Sequence, residues 1–334
     1  MLLFVKKWTI IKLNKLEGWC AIIKIYKTKE DNLSLEQLKE ITSGSWIDVI
    51  NPTEKEIEKL SDELLIDAEF INYILDDEKQ PRIDSGKDKK LIMVDVPIQK
   101  EKRGTSIIKT TPLAILIVRD DYIVTISKKN NILDDFKNGK VKEFYTFKKS
   151  RFTIQILYRV ATSFLKYLRG INEQIEKCEE KMFETTKNTD LEKLLAIEKS
   201  LVYLLTSLRS NKIVLDKLSK KLVLDFYEED QELLDDAIIE NDQALDMANL
   251  YREILTSTTD SFATIISNNL NTIMKFLAGI TIVISIPTMV ASFFGMNVPL
   301  GILKDNPYSF VIILLLSIVV SIIVAIILKR KNML

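Results

Sequence analysis

Two stretches toward the C-terminal end limit what this chain can fold into. Phe276–Phe294 is 19 residues without a charge, and Ser309–Leu328 is 20 residues without one. A hydrocarbon core about 30 Å thick is crossed by about 20 helical residues. Each stretch therefore reads as a transmembrane helix. A buried core helix is the other reading of one such run. Two in succession, with Lys275 before the first and Lys329-Arg330-Lys331 after the second, favour the membrane. The segment between them, 295–308, carries one Lys and one Asp. The positive-inside rule then places both termini in the cytoplasm and 295–308 outside, in a multi-pass protein of the plasma membrane.

The chain ahead of the spans changes texture once. Runs rich in β-branched residues, Ala21–Tyr26, Trp46–Ile50, Leu91–Ile98, Leu113–Val118 and Tyr122–Ser127, predict strands. Thr53-x-x-Glu56 after Pro52 has the form of a capping box opening a helix, and Asp67–Asp76 reads as a second short one. Beyond Phe147 there is no proline until Pro287, and Arg151–Thr186, Leu191–Phe226 and Glu228–Asn271 carry helical apolar spacing with charged faces. The last of these meets the first span without a breaker. The expected organisation is an N-terminal extension without fixed structure (1–20), an α+β cytoplasmic domain of α/β/α sandwich type (21–147) and long stalk helices (148–275). A first span (276–294), an external loop (295–308), a second span (309–328) and a basic tail (329–334) follow.

Composition removes several kinds of chemistry. There is no histidine, so Ser-His and Cys-His mechanisms and the commonest zinc ligand are out. Cys20 and Cys178 match no metal or redox spacing. Neither a glycine-rich phosphate loop nor a G-x-S-x-G elbow occurs. An enzyme, an organic cofactor and a nucleic-acid partner are not expected. Charge sums to zero, but Leu222–Tyr251 holds ten Asp/Glu and no Lys or Arg. That asymmetry points to cations or a membrane surface.

Stepping 3, 4, 3, 4 along the first span from Asn271 gives Met274, Ala278, Thr281, Ser285, Thr288 and Ser292. This stripe is polar or small but for Met274, and the neighbouring position Leu277 is apolar. Small residues also permit tight helix packing. A packing seam, however, turns apolar in water, whereas this one continues toward the cytoplasm through Ser267, Thr264, Asp260, Ser257 and Glu253. A water-filled axis surrounded by copies of one helix accounts for both halves, and implies a cyclic homo-oligomer. Pro287 weakens the helix locally. Gly295 is expected to let the chain leave it. Asn297 then offers a neutral amide oxygen at the outer mouth. Mg²⁺ dehydrates reluctantly. A ring of such oxygens would hold the hydrated ion through its waters.

Phe294-Gly295-Met296-Asn297 at the outer end of the first of two C-terminal spans resembles the CorA family of magnesium transporters, the two-span Gly-Met-Asn group. The likeness extends over nearly the whole chain. It implies a homopentameric Mg²⁺ channel, often passing Co²⁺ or Ni²⁺, with a cytoplasmic α/β funnel closed by intracellular Mg²⁺ bound between subunits. It implies a filter at Gly295, Met296 and Asn297, an inner pore asparagine at Asn271 and an apolar constriction at Met274 and Leu277. It further implies an acidic inner mouth at Asp260 and one regulatory ligand at Asp236. Tyr73 stands where the family's second regulatory aspartate is expected, with Asp76 and Asp77 close by in sequence. Ser285 replaces a third apolar gate residue. Two other readings stay open: a zinc, cobalt or nickel carrier of the same fold, and a membrane-anchored coiled-coil sensor or scaffold that conducts nothing.

Overall fold

A computed structural model describes residues 23–29, 34–64, 66–76, 79–86, 88–102, 105–129, 131–184, 188–220, 224, 227–296, 308–331 and 333. The expected extension 1–20, Asp77 and Asn297 lie outside them. The chain forms two compact units that divide between Thr256 and Ser257.

The first unit is built on strands β1 (Ile23–Thr28), β2 (Leu35–Leu38), β3 (Trp46–Ile50), β4 (Arg82–Ser85), β5 (Lys89–Lys102), β6 (Thr105–Val118) and β7 (Tyr122–Ser127). They form one sheet of order β2-β1-β3-β7-β6-β5-β4. Only the β3–β7 pair is parallel. Successive side chains of a strand face opposite ways, and both faces here are apolar. Ile47, Val49, Leu91, Met93, Leu116 and Val124 point to one side and pack with Ile57, Leu60, Ile71 and Ile74 of α1 (Glu54–Leu64) and α2 (Ala68–Leu75). Trp46, Ile92, Val94, Ile115, Ile117 and Ile123 point to the other. They meet α3 (Asp134–Lys137), α4 (Lys149–Glu184), α5 (Asn188–Ser219) and the first turns of α6 (Glu228–Phe294). The sheet lies between two helical layers, as the sequence predicts.

Local chemistry fixes the element ends. Thr53 donates from both its backbone N–H (2.8 Å) and its hydroxyl (2.7 Å) to the Glu56 carboxylate, which ties down the start of α1. The β5–β6 hairpin runs further than the predicted strands Leu91–Ile98 and Leu113–Val118, and both Pro97 and Pro112 lie within it. Pro97 lies past Met93, where β4 stops pairing with β5, and Pro112 lies just before Leu113, where β7 pairing begins. A missing N–H is tolerated at such edges. The open edge of β5 is closed by α5: Asn211 accepts from the Asp95 N–H and donates to the Asp95 carbonyl, both at 2.9 Å. Ser207 donates to the Asp95 carboxylate at 2.6 Å. Edge groups that would otherwise template another strand are thus satisfied within the chain.

α6 is one helix of 67 residues that continues through Pro287. Its first turns are tied into the first unit by ion pairs. Arg151 reaches Asp230 at 3.2 Å and also pairs with Glu143, while Lys212 holds Asp242 at 2.8 Å. The Asp242 hydrogen bond keeps the Lys212 ammonium above the usual lysine pKa. The second unit comprises the rest of α6 and α7 (Ser309–Arg330).

Candidate functional site: the exposed polar face of α6

Both C-terminal helices are long and apolar enough to cross a membrane, and in their most apolar windows only 6% and 11% of residues are buried. A core helix of a soluble protein would be mostly covered. Bare Leu, Ile, Val and Phe surface on this scale calls for lipid as the solvent.

Within the second unit, α6 has two distinguishable faces. Gly279 is buried, and Val283, Ile286, Val290 and Phe294 are partly covered; these recur at helical spacing. The face on the other side carries Asn271, Met274, Ala278, Thr281, Ser285, Thr288 and Ser292, and every one of them is exposed. Leu277 is exposed as well, and so is Asp260 nearer the helix start. The chain therefore leaves its polar stripe uncovered and shields a different one. An open groove of about 610 Å³ follows this face, lined by Thr281, Ser285, Thr288 and Ser292 with Ile284, Met289 and Phe293 beside them.

The hydroxyls are oriented by the helix itself. Thr281 donates to the Leu277 carbonyl at 2.8 Å, Ser285 to the Ile282 carbonyl at 2.8 Å and Thr288 to the Ile284 carbonyl at 3.5 Å. Each proton is directed back at the backbone, so the oxygen lone pairs face outward. A row of outward acceptors suits a cation, or the protons of the water around one.

The helix ends differently from the expectation that Gly295 turns the chain away. Gly295 N–H still bonds to the Ala291 carbonyl at 2.9 Å, and Gly295 has no left-handed φ. The tightening comes one residue later, where Met296 N–H reaches the Phe293 carbonyl at 3.4 Å in a 3₁₀-like turn. What glycine supplies is space: a Cβ at 295 would stand 3.3 Å from the Ala291 carbonyl oxygen. Gly295 and Met296 are both exposed, and Asn297, the remaining expected filter residue, lies outside the described residues.

The two expected regulatory residues that are described, Asp236 and Asp76, belong to different elements. Asp236 is exposed on α6. Asp76, at the end of α2, is 3.6 Å from Lys79, and Asp77 lies outside the described residues. Tyr73 is taken up by cations: Arg82 donates to its hydroxyl at 2.8 Å and lies over its ring at 4.3 Å, with Lys79 at 4.9 Å. Sequence reading missed this pairing, although the spacing Tyr73, Lys79, Arg82 across a helix end was its one visible sign. Among the described residues no group of three or more His, Cys, Asp or Glu could hold a metal ion.

Residues 42–330 match the family model described as CorA-like Mg²⁺ transporter protein. This chain belongs to that family. CorA-family proteins are ion transporters rather than enzymes. The cobalt/magnesium transport protein CorA of Methanocaldococcus jannaschii is 29% identical over 323 residues, covering 92% of this chain and 96% of its own length. The complete structure of the CorA magnesium transporter from that organism superposes with a TM-score of 0.77 at 26% identity, covering 95% of this chain and all of the other. The full-length CmaX structure matches at a TM-score of 0.62 and 17% identity, over 93% of this chain and 97% of its own, a likeness of fold alone. The CorA architecture of mixed α/β domain, long helix and two C-terminal apolar helices is the one found here. Membership sets aside the scaffold that conducts nothing. The chain is a CorA-family Mg²⁺/Co²⁺ transport protein.

Proposed function

We propose that copies of this chain assemble as a homopentamer around the polar face of α6 and admit Mg²⁺, and also Co²⁺ and Ni²⁺, into the cell across the plasma membrane. The observation that carries the reading is that face: polar or small from Asn271 to Ser292 but for Met274, exposed throughout, and distinct from the side that the chain covers itself. One chain cannot enclose water with one such helix, but several related by an axis can.

In this reading Gly295, Met296 and Asn297 form the filter at the outer mouth, where amide oxygens hold the hydrated ion by its waters. Thr281, Ser285, Thr288 and Ser292 line the path with acceptors. Met274 and Leu277 narrow it, Asn271 hydrates its inner end, and Asp260 draws cations at the inner mouth. Ser285 leaves the apolar constriction short. Both termini lie in the cytoplasm, in keeping with Lys275 and Lys329-Arg330-Lys331 at the outer ends of the spans. Resting Mg²⁺ closes the pore by binding between subunits, with Asp236 as one ligand and Asp76 or Asp77 as its counterpart.

The test is Mg²⁺ entry into proteoliposomes that enclose a Mg²⁺-sensitive dye. Wild type should fill the vesicles, and Asn297→Ala should abolish filling while the protein still inserts and assembles. No flux through wild type refutes the channel. Full flux through Asn297→Ala refutes the filter.

A further inference from the structure

Away from α6, the first unit holds a polar cavity of about 640 Å³ between α4, the outer arm of the β5–β6 hairpin and the segment leading into α3. That volume is in the range of small-molecule sites. Three cations line it: Lys129, Arg159 and Lys166. The one carboxylate in the lining, Asp135, is shared between Lys140 at 3.4 Å and Arg159 at 3.7 Å. The Lys129 and Lys166 side chains are exposed and have no hydrogen-bond or ion-pair partner among the described residues. Net positive charge is thus concentrated in a concave site and is not neutralised by the fold.

The remaining lining narrows the ligand. Thr162 spends its hydroxyl proton on the Tyr158 and Arg159 carbonyls at 3.1 Å, while Ser163 lies beside it in the wall. The half-buried Tyr167 presents an aromatic ring, and its phenol is pushed above the usual tyrosine pKa by burial, so it stays a neutral donor. Gly170 lies in the middle of α4, where glycine costs about 1 kcal/mol relative to alanine. A Cβ there would meet nothing within 4 Å, so the glycine leaves the cavity floor open.

We propose that this cavity binds a polyphosphate anion, in the form of a nucleoside di- or triphosphate. Arg159 supplies the planar fork that matches phosphate oxygens. Lys129 and Lys166 add mobile point charges along the chain of phosphates. Tyr167 offers a flat surface on which a base stacks. Among anions, only one with several charges matches three cations set against one shared carboxylate, and the cavity is too large for inorganic phosphate alone. The site lies wholly in the first unit and does not depend on the conducting role of α6.

The test is titration calorimetry on the full-length protein in detergent, at about 0.15 M ionic strength so that unspecific charge attraction is screened. ATP, tripolyphosphate and adenosine are the probes, each without and with Mg²⁺. ATP should bind, tripolyphosphate should bind more weakly, and adenosine should give no heat. Arg159→Gln and Lys166→Gln should each weaken ATP by about tenfold, the loss of one charge-assisted hydrogen bond. Gly170→Leu keeps every charge, improves helix propensity and fills the floor, so it should abolish binding with the unfolding temperature maintained. Equal affinity for tripolyphosphate and ATP would overturn the nucleoside and leave free polyphosphate as the ligand. Absence of binding by both, or affinities unchanged in Gly170→Leu and in the charge variants, would overturn the site.

Discussion

Asp48 is a carboxylate with 1% exposure, set on the sheet face beside Trp46. Burial raises its pKa; the Lys137 ammonium at 2.7 Å and the Thr125 hydroxyl pull it back down. Burial lowers Lys137, but the Asp48 and Asp134 carboxylates outweigh that and hold it above the usual lysine value. The Lys137 contribution to stability is therefore complete through neutral pH and is lost only as pH rises through its folded pKa. Removing the cation changes the sign of the problem. Lys137→Met leaves a buried anion with only the Thr125 hydroxyl, and breaking a buried pair from one side costs roughly 3 kcal/mol or more. With its pKa then further above the unfolded value, Asp48 destabilises the fold when ionised and ceases to do so once protonated. Denaturant unfolding of Lys137→Met should show the full loss near neutral pH and a shrinking loss as pH falls through the Asp48 folded pKa. Adding Asp48→Asn should recover most of it. A loss of constant size at every pH would show that Lys137 acts by packing alone.

At the scale of elements, hydrophobic pattern governed what the sequence revealed. β3 and β7 have the predicted bounds because Trp-Ile-Asp-Val-Ile and Tyr-Ile-Val-Thr-Ile-Ser are dense β-forming runs with turn residues on both sides. β2 and β4 were missed: Leu-Glu-Gln-Leu and Arg-Ile-Asp-Ser are short, polar edge strands whose pairing is decided by their neighbours. The four-residue α3 gives no periodicity to read. The stripe from Asn271 to Ser292 was legible, since helical spacing alone places those residues on one face. Which face the chain covers was not, because that depends on how α6 packs in the second unit. The charged cavity was invisible, because its lining comes from β5, β6, α3, α4 and the segment leading into α3, which are far apart in sequence. The stripe makes a prediction of its own. Valine matches threonine in shape, alanine is serine without its hydroxyl, and neither side chain accepts a hydrogen bond, so Thr281→Val, Ser285→Ala and Thr288→Val together remove the acceptors and keep an apolar membrane helix. At about 1 kcal/mol for each of the three lost acceptors, Mg²⁺ flux into vesicles should fall by about a hundredfold. Undiminished flux with normal insertion would mean that this face does not line the path.

At the scale of the whole molecule, the acidic start of α6 is the part on which the proposed assembly bears most. Asp230 is neutralised by Arg151 and Asp242 by Lys212. Glu228, Glu229, Glu232, Asp235, Asp236 and Asp246 remain exposed. In the proposed assembly, such carboxylates brought near their equivalents on other copies would repel one another. A divalent cation between copies offsets that repulsion, and carboxylate oxygens suit Mg²⁺. An ion that binds the closed arrangement better than the open one shifts the population toward closure. Tyr73 alters the far side of such a site. Arg82 and Lys79 bring positive charge where a second metal ligand is expected, and Lys79 already engages Asp76. Asp236 should therefore dominate, and Asp76→Asn should have the smaller effect. Limited proteolysis of the full-length oligomer, without Mg²⁺ and with Mg²⁺ in the millimolar range, separates the outcomes. Wild type should be cut slowly with Mg²⁺ and quickly without it, Asp236→Ala quickly in both, and Asp76→Asn should keep most of the protection. Equal cutting of wild type in both conditions would reduce the acidic face to a solvated surface. Full protection of Asp236→Ala by Mg²⁺ would move the sensor off α6.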